Sequence, residues 1–162
     1  MKRVDKTSPQ NKKINVFLLA AGLGERLRPI THHIPKPLLP ILGKPVLQSV
    51  IEKILTLPVK EIGINLHHKK EVIQSWIKQS PFKKNIKLFP EKQVLGTGGA
   101  LKNAENFLGK STFLVHNSDI VSGVDLGALI KSHNSSKNLV TLAVHDYPKF
   151  NCLLIDKKGV LK

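Results

Sequence analysis

The first stretch able to do chemistry is Gly22-Leu23-Gly24-Glu25-Arg26, followed ten residues after the arginine by Lys36. Glycines let backbone N–H groups approach an anion closely. A guanidinium can fork across two phosphate oxygens, and an ammonium adds a compact point charge. Phosphate is the ligand this combination suits. Neither of two common nucleotide fingerprints fits: Leu27 stands where a dinucleotide motif needs its third glycine, Pro29 stops the helix that would receive the pyrophosphate, and the Gly-Lys-Ser/Thr of a P-loop is missing. An ordinary strand-to-loop turn with solvated charges accounts for the same residues, and residue types alone leave both readings standing.

A second glycine-rich stretch, Leu95-Gly96-Thr97-Gly98-Gly99-Ala100, follows an expected strand and opens an expected helix. Small residues there leave room for a ribose or base, and unpaired N–H groups attract anions; a tightly packed helix start is the alternative. A third, His116-Asn117-Ser118-Asp119, puts a carboxylate where an apolar strand leaves the core. That placement suits Mg²⁺, which takes oxygen ligands and keeps several waters beside a phosphate, and it equally suits an Asx turn or a cap. The paired histidines His32-His33 and His67-His68 would point to opposite sides of an extended chain, and no cysteine or spaced histidine completes a zinc set. Serine-nucleophile hydrolysis has no Gly-x-Ser-x-Gly elbow to work from.

Composition narrows the classes further. The 162 residues suit one domain with a single core, and 26 Lys+Arg against 11 Asp+Glu give a net charge of +15. The charge is dispersed along the chain. Only three residues, Arg3, Arg26 and Arg28, are arginine, and there are six Phe, one Tyr and one Trp. Nucleic-acid readers need bidentate arginines or interleaved aromatics, so a lysine-rich solvated surface is expected and no nucleic-acid partner. One cysteine, Cys152, excludes an internal disulfide and suits the cytoplasm. The longest apolar run, Val16 to Leu23, is far shorter than the roughly 20 residues of a membrane span, and it reads as a buried strand entering a glycine turn rather than as a signal peptide.

Several elements must position these residues. Residues 1–13 are polar and basic and are expected to form a flexible tail, with one domain over 14–162. Strands are expected at Ile14–Ala20, Val59–Leu66, Ile86–Phe89, Thr112–His116, Leu139–His145 and Cys152–Ile155. Helices are expected at Val46–Leu57, with Pro45 in its first turn, and at Glu71–Gln79, Leu101–Leu108 and Asp125–His133. Alternation at this spacing implies an α/β sandwich with a mainly parallel sheet. Five of the ten prolines, Pro29, Pro35, Pro37, Pro40 and Pro45, follow the first strand and its glycine turn. No helix is expected across Arg28–Leu39, only a long stiff loop where open α/β sheets bind ligands.

Taken together, Leu18-Leu19-Ala20-Ala21-Gly22-Leu23-Gly24-Glu25-Arg26-Leu27-Arg28-Pro29-Ile30-Thr31, then Pro35-Lys36-Pro37-Leu38-Leu39-Pro40 and Gly43-Lys44-Pro45, resemble the signature of sugar-1-phosphate nucleotidyltransferases. Gly96-Thr97-Gly98-Gly99-Ala100-Leu101 and Asn117-Ser118-Asp119 resemble that family's second and third motifs. The resemblance implies a three-layer α/β/α sandwich with a mostly parallel, Rossmann-like sheet of the nucleotide-diphospho-sugar transferase type, and the reaction of an NTP with a sugar 1-phosphate to give an NDP-sugar and pyrophosphate, with Mg²⁺. It implies that Gly22 and Gly24 offer backbone donors to the triphosphate, Arg26 holds the departing pyrophosphate, Lys36 bridges to the α-phosphate and Asp119 binds the metal.

Base selection would then fall to Ala20, Ala21, Glu91, Gly96 and Thr97. A carboxylate at Glu91 accepts hydrogen bonds only, which matches guanine's N1–H and amino group better than uracil's mixed edge, so GTP is favoured over UTP. The family continues well beyond this length and its later portion supplies a second metal-binding aspartate, so a C-terminally truncated form is expected, its nucleotide half present and its acceptor half incomplete. Asp156-Lys157-Lys158-Gly159 reads as a hairpin turn leading to a strand from Val160 rather than as that ligand. A noncatalytic nucleotide-binding or sensing module of the same fold is the alternative function, and a basic polyanion-binding protein a third. No membrane partner is expected, and the pattern specifies no oligomeric state.

Overall fold

The computed structural model describes residues 13–150 with 153, 154, 156, 157 and 161. The chain falls into two compact units, 1–126 and 127–162. The expected tail over 1–13 lies, apart from Lys13, outside the described residues.

The first unit is built on β1 (Ile14–Leu19). Val16, Phe17 and Leu18 are fully buried, as a strand covered on both faces requires. The short strands β2 (Pro40–Ile41) and β3 (Lys44–Pro45) form an antiparallel pair, and α1 (Val46–Ile54) follows directly. Next come β4 (Val59–Leu66), α2 (Lys70–Gln79), β5 (Ile86–Pro90), α3 (Gly96–Asn103), α4 (Glu105–Leu108) and β6 (Phe113–Asn117). The main sheet has the order β5-β4-β1-β6, and every pairing in it is parallel.

That order has a structural consequence. Parallel strands are joined by right-handed crossovers, so the steps β1 to β4 to β5 place α1 and α2 on one face of the sheet. The step from β5 back past β1 to β6 runs the other way and places α3 and α4 on the opposite face. Phe17 accordingly packs with Ala100, Ala104, Phe107 and Leu108. The outcome is the expected three-layer α/β/α arrangement around a parallel sheet.

On α1, Val46, Leu47, Val50, Ile51 and Ile54 are buried, each such aliphatic side chain contributing roughly 1.5–3 kcal/mol relative to exposure. Lys44 Nζ and Gln48 Nε2 donate to Glu52 at 2.7 and 2.9 Å, tying β3 to this helix. The bond from Lys44, then that from Gln48, holds the Glu52 carboxyl below its ordinary value.

Several expectations need correction. The first helix ends at Ile54 rather than Leu57, because Leu57 precedes Pro58 and the α conformation is disfavoured there; Pro45 stands just before the helix, not in its first turn. The helix expected at Leu101–Leu108 begins at Gly96 and breaks at Ala104, so the second glycine motif is itself the opening of α3. Between Arg28 and Leu39 there is no α-helix, yet Ile30–His32 and Lys36–Leu38 form single 3₁₀ turns. Such a turn needs only one or two bonds, such as Leu39 N–H to Lys36 O at 3.1 Å, and tolerates proline as an acceptor.

In the second unit α5 (Leu126–Ser135) replaces the expected Asp125–His133, beginning at the last residue of the first unit. Leu139–His145 is not a strand, and Leu139, Val140, Leu142 and Val144 are exposed. Apolar alternation makes a strand only where a neighbour completes its ladder, and no other strand lies in this unit among the described residues. Leu153 and Leu154 are exposed and outside any strand, whereas Cys152, Ile155 and the residues from Lys158 to Val160 lie outside the described residues.

Gly63 in β4 makes room for three rings. A Cβ there would come within 2.7 Å of Phe107 and Phe17 and 3.0 Å of Phe89. The Phe17–Phe89 and Phe89–Phe107 centroids lie 5.5 and 5.2 Å apart. Gly63→Ala should destabilise the protein by about 1–3 kcal/mol through overpacking. Urea unfolding should show a lower midpoint at unchanged slope; an unaltered midpoint would mean that the ring cluster yields freely.

Candidate active site

The strand order reverses at β1, and in open parallel sheets the crevice beyond the carboxyl ends at such a reversal binds ligands. Here those ends are Leu19 of β1 and Asn117 of β6, which are in register. Ser118 joins them, donating its N–H at 3.1 Å and its Oγ at 2.7 Å to Leu19 O. Two adjoining clefts open at this point. The larger, about 630 Å³, is lined by Gly22 to Leu27, Lys36 and Asp119. The smaller, about 280 Å³, runs past Ala20 and Ala21 to Asn65, Glu91, Gly96 and Thr97. Gly22, Lys36 and Asp119 line both.

All ten residues singled out from the sequence therefore meet at one place. Gly24 and Arg26 line the larger cleft, Ala20, Ala21, Glu91, Gly96 and Thr97 the smaller, and the three shared residues their junction. Lys36 Nζ forms an ion pair with Asp119 there, the two side chains 32% and 24% exposed. Arg28 turns elsewhere and pairs with Glu25 at 3.1 Å on the surface.

The glycine loop owes its shape to local constraints. Gly24 has a φ of 68°, and a Cβ on it would stand 2.8 Å from Thr31 Cγ2, so a side chain is excluded twice. Thr31, 1% exposed, donates from Oγ1 to Gly24 O at 2.9 Å, and its own carbonyl meets His68 Nε2 at 3.1 Å. His67 Nδ1 lies 3.1 Å from Glu91 O. The adjacent histidines thus bond to different elements, as imidazoles satisfied by the protein.

Three contributors were not singled out by type and spacing. Asn65 accepts Ala20 N–H at 2.7 Å and donates to Glu91 Oε1 at 2.8 Å. Its signal was a lone amide inside the apolar run Ile62–Leu66, since a buried amide has to find partners. Thr31 and Ser118 stand inside the quoted motifs, yet they act through backbone carbonyls that only the fold brings near.

Among the described residues no group of three or more His, Cys, Asp or Glu side chains could enclose a metal. Asp119 offers one accessible carboxylate lining both clefts. That fits Mg²⁺ in its usual mode, in which one or two carboxylates share the ion with waters and substrate phosphate oxygens.

Residues 15–151 match the nucleotidyl transferase family model. The chain belongs to the nucleotidyl transferase family. Among its relatives within known sequences, the bifunctional protein GlmU of Methanocaldococcus jannaschii is 41% identical over 118 residues, covering 73% of this chain and 28% of that protein. The D-glycero-alpha-D-manno-heptose 1-phosphate guanylyltransferase of Campylobacter jejuni is 32% identical over 148 residues, covering 91% and 66%. HddC from Yersinia pseudotuberculosis, solved in complex with GMP-PN, superposes with a TM-score of 0.64 at 38% identity over 74% of this chain and 53% of that one. The chain thus spans no more than about two thirds of these relatives' lengths.

As a nucleotidyl transferase family loop, Gly22–Arg26 depends on Thr31. Thr31→Val keeps the side-chain shape but removes the hydroxyl's bond to Gly24 O, which then accepts only from Leu27 N–H, a loss of about 0.5–1.5 kcal/mol. Trypsin should then cut after Arg26 faster than in the wild type; equal rates would show that the hydroxyl does not hold the loop.

Proposed function

We propose that the chain binds an NTP with Mg²⁺ and transfers its nucleoside monophosphate to a sugar 1-phosphate, giving an NDP-sugar and pyrophosphate. The observation that carries this reading is the meeting of Lys36, Asp119 and the Gly22–Arg26 loop at the reversal of strand order. A sugar-phosphate oxygen attacks the α-phosphorus in line, the new P–O bond forms, and the bond to pyrophosphate breaks. No covalent enzyme intermediate is needed, so the catalytic task is to orient the reactants and balance negative charge on the entering and leaving sides.

In this reading Gly22 and Gly24 give backbone donors to the triphosphate, Arg26 holds the departing pyrophosphate, and Lys36 neutralises charge developing at the α-phosphate. Asp119 would hold Mg²⁺, which supplies positive charge to the phosphate oxygens. Ala20, Ala21, Gly96 and Thr97 border the base, with Glu91 behind them. GTP is the favoured nucleotide, supported by the guanylyltransferase among the relatives; both Glu91 oxygens already accept protein N–H groups, so the acceptor character of that side chain follows from those partners. The dispersed lysines argue for a solvated surface rather than a nucleic-acid partner. Among the described residues no helix is long and apolar enough to cross a membrane, and the nucleotide substrates and single Cys152 fit a cytoplasmic setting.

The test is pyrophosphate release, screened with four NTPs against hexose, heptose and amino-sugar 1-phosphates in Mg²⁺. Release should be fastest with GTP. Lys36→Ala should lower turnover by roughly 10²–10³, the scale of one lost preorganised donor, and Asp119→Asn should weaken activation by Mg²⁺. Nucleotide binding with no release for any acceptor would favour a sensing module instead, and wild-type turnover in Lys36→Ala would remove that residue from the chemistry.

A further inference from the structure

Asn65 and Glu91 are each 4% exposed, and their polar atoms are fully engaged with one another and with the backbone on either side. Ala20 N–H can only donate, so the atom of Asn65 lying 2.7 Å from it is the carbonyl oxygen, and the amide nitrogen faces Glu91 Oε1 at 2.8 Å. Glu91 Oε2 accepts Leu95 N–H at 3.1 Å. Glu91's own N–H donates to Leu66 O at 2.7 Å, which holds it against the end of β4. One continuous hydrogen-bond chain thus links Ala20, Asn65, Glu91 and Leu95 across the back of the smaller cleft.

Both groups facing the Glu91 side chain are donors. An acceptor-only side chain is therefore required at 91 by the protein itself, and glutamine would turn an N–H toward another N–H. The two ends of the chain are the backbone of Ala20, beside Ala21 and Gly22, and of Leu95, immediately before Gly96. These are the two walls of the slot assigned above to the base. A Cβ at Gly99 would stand 2.8 Å from Leu95 Cβ, so the first turn of α3 lies close against Leu95.

We propose that Asn65 and Glu91 are a positioning pair that sets the separation of the two walls of the base slot, acting on the nucleotide through the Ala20 and Leu95 backbones. This rests on the nucleotide-binding reading of the cleft. It makes a prediction that direct base reading by Glu91 does not: the pair can be exchanged. Asn65→Asp sets two carboxylates face to face, and Glu91→Gln sets two donors face to face. In the double variant the aspartate accepts from Ala20 N–H and from the glutamine amide, while the glutamine oxygen accepts from Leu95 N–H. All partners are then satisfied and the net charge is unchanged.

Calorimetric titration with Mg²⁺·GTP and Mg²⁺·UTP reads the outcome. Each single variant should raise the GTP Kd by about 10- to 100-fold, the scale of a buried polar group left facing the wrong partner. The double variant should return it to within about threefold of the wild type, with the GTP-to-UTP ratio restored. Asn65→Ser, which removes both links without setting like groups together, should weaken GTP by about tenfold and serves if the single variants do not fold. A double variant no tighter than the weaker single, an unchanged Kd in Asn65→Ser, or loss of GTP preference in Glu91→Gln that persists in the double variant overturns the proposal. Wild-type protein that binds neither nucleotide overturns the reading of the cleft itself, and the two failures are thereby distinguished.

Discussion

Lys36 and Asp119 carry opposite charges on segments 83 residues apart in sequence, and the fold sets them against each other at the mouth of two clefts. Each is partly withdrawn from water, where a charge without a partner is costly, and each compensates the other. On the proposed reading a polyphosphate and a divalent cation arrive together and offer both groups new partners at once. Either ligand alone would draw one member of the pair away and strand the other, so charge balance couples the two ligands. The rest of the first unit can be understood as the scaffold that keeps this pair at the reversal point of the sheet.

That scaffold works mainly through backbone carbonyls and amides. Ser118 locks the end of β6 onto Leu19 of β1, which fixes Asp119 one residue further on. Thr31 folds the proline-rich loop back onto Gly24, which fixes the path between Arg26 and Lys36. Asn65 and Glu91 link the end of β1 to the start of α3. In each case a polar side chain bonds to a main-chain group on another segment. Beneath them, the Phe17, Phe89 and Phe107 rings pack over Gly63 and support β1, β4 and β5 from one side.

The sheet was legible because its strands are short runs rich in aliphatic and aromatic residues: Val59–Leu66 reads the same from pattern and from coordinates. The motif residues each had an ordinary structural use as an alternative, and it was their order and spacing together, resembling one family's signature, that singled them out; the fold brings them to two adjoining clefts. Local pattern misled where the outcome depended on a distant partner. Leu139–His145 alternates as a strand should, yet lies outside any ladder among the described residues of its unit. Gly96–Ala100 has poor helix propensity and still opens α3, where Glu91 receives Leu95 N–H just ahead of it. Asn65 was passed over because its importance lies in two hydrogen bonds to residues 26 and 45 positions away, and no one-dimensional period encodes them.

The most direct test of the account is a crystal structure with a nonhydrolysable GTP analogue and Mg²⁺. The polyphosphate should lie against the Gly22–Arg26 backbone and Lys36, the metal on Asp119, and the Lys36–Asp119 pair should be parted. A nucleotide seated on any other face, or one in the cleft with that ion pair intact and the metal elsewhere, would contradict it.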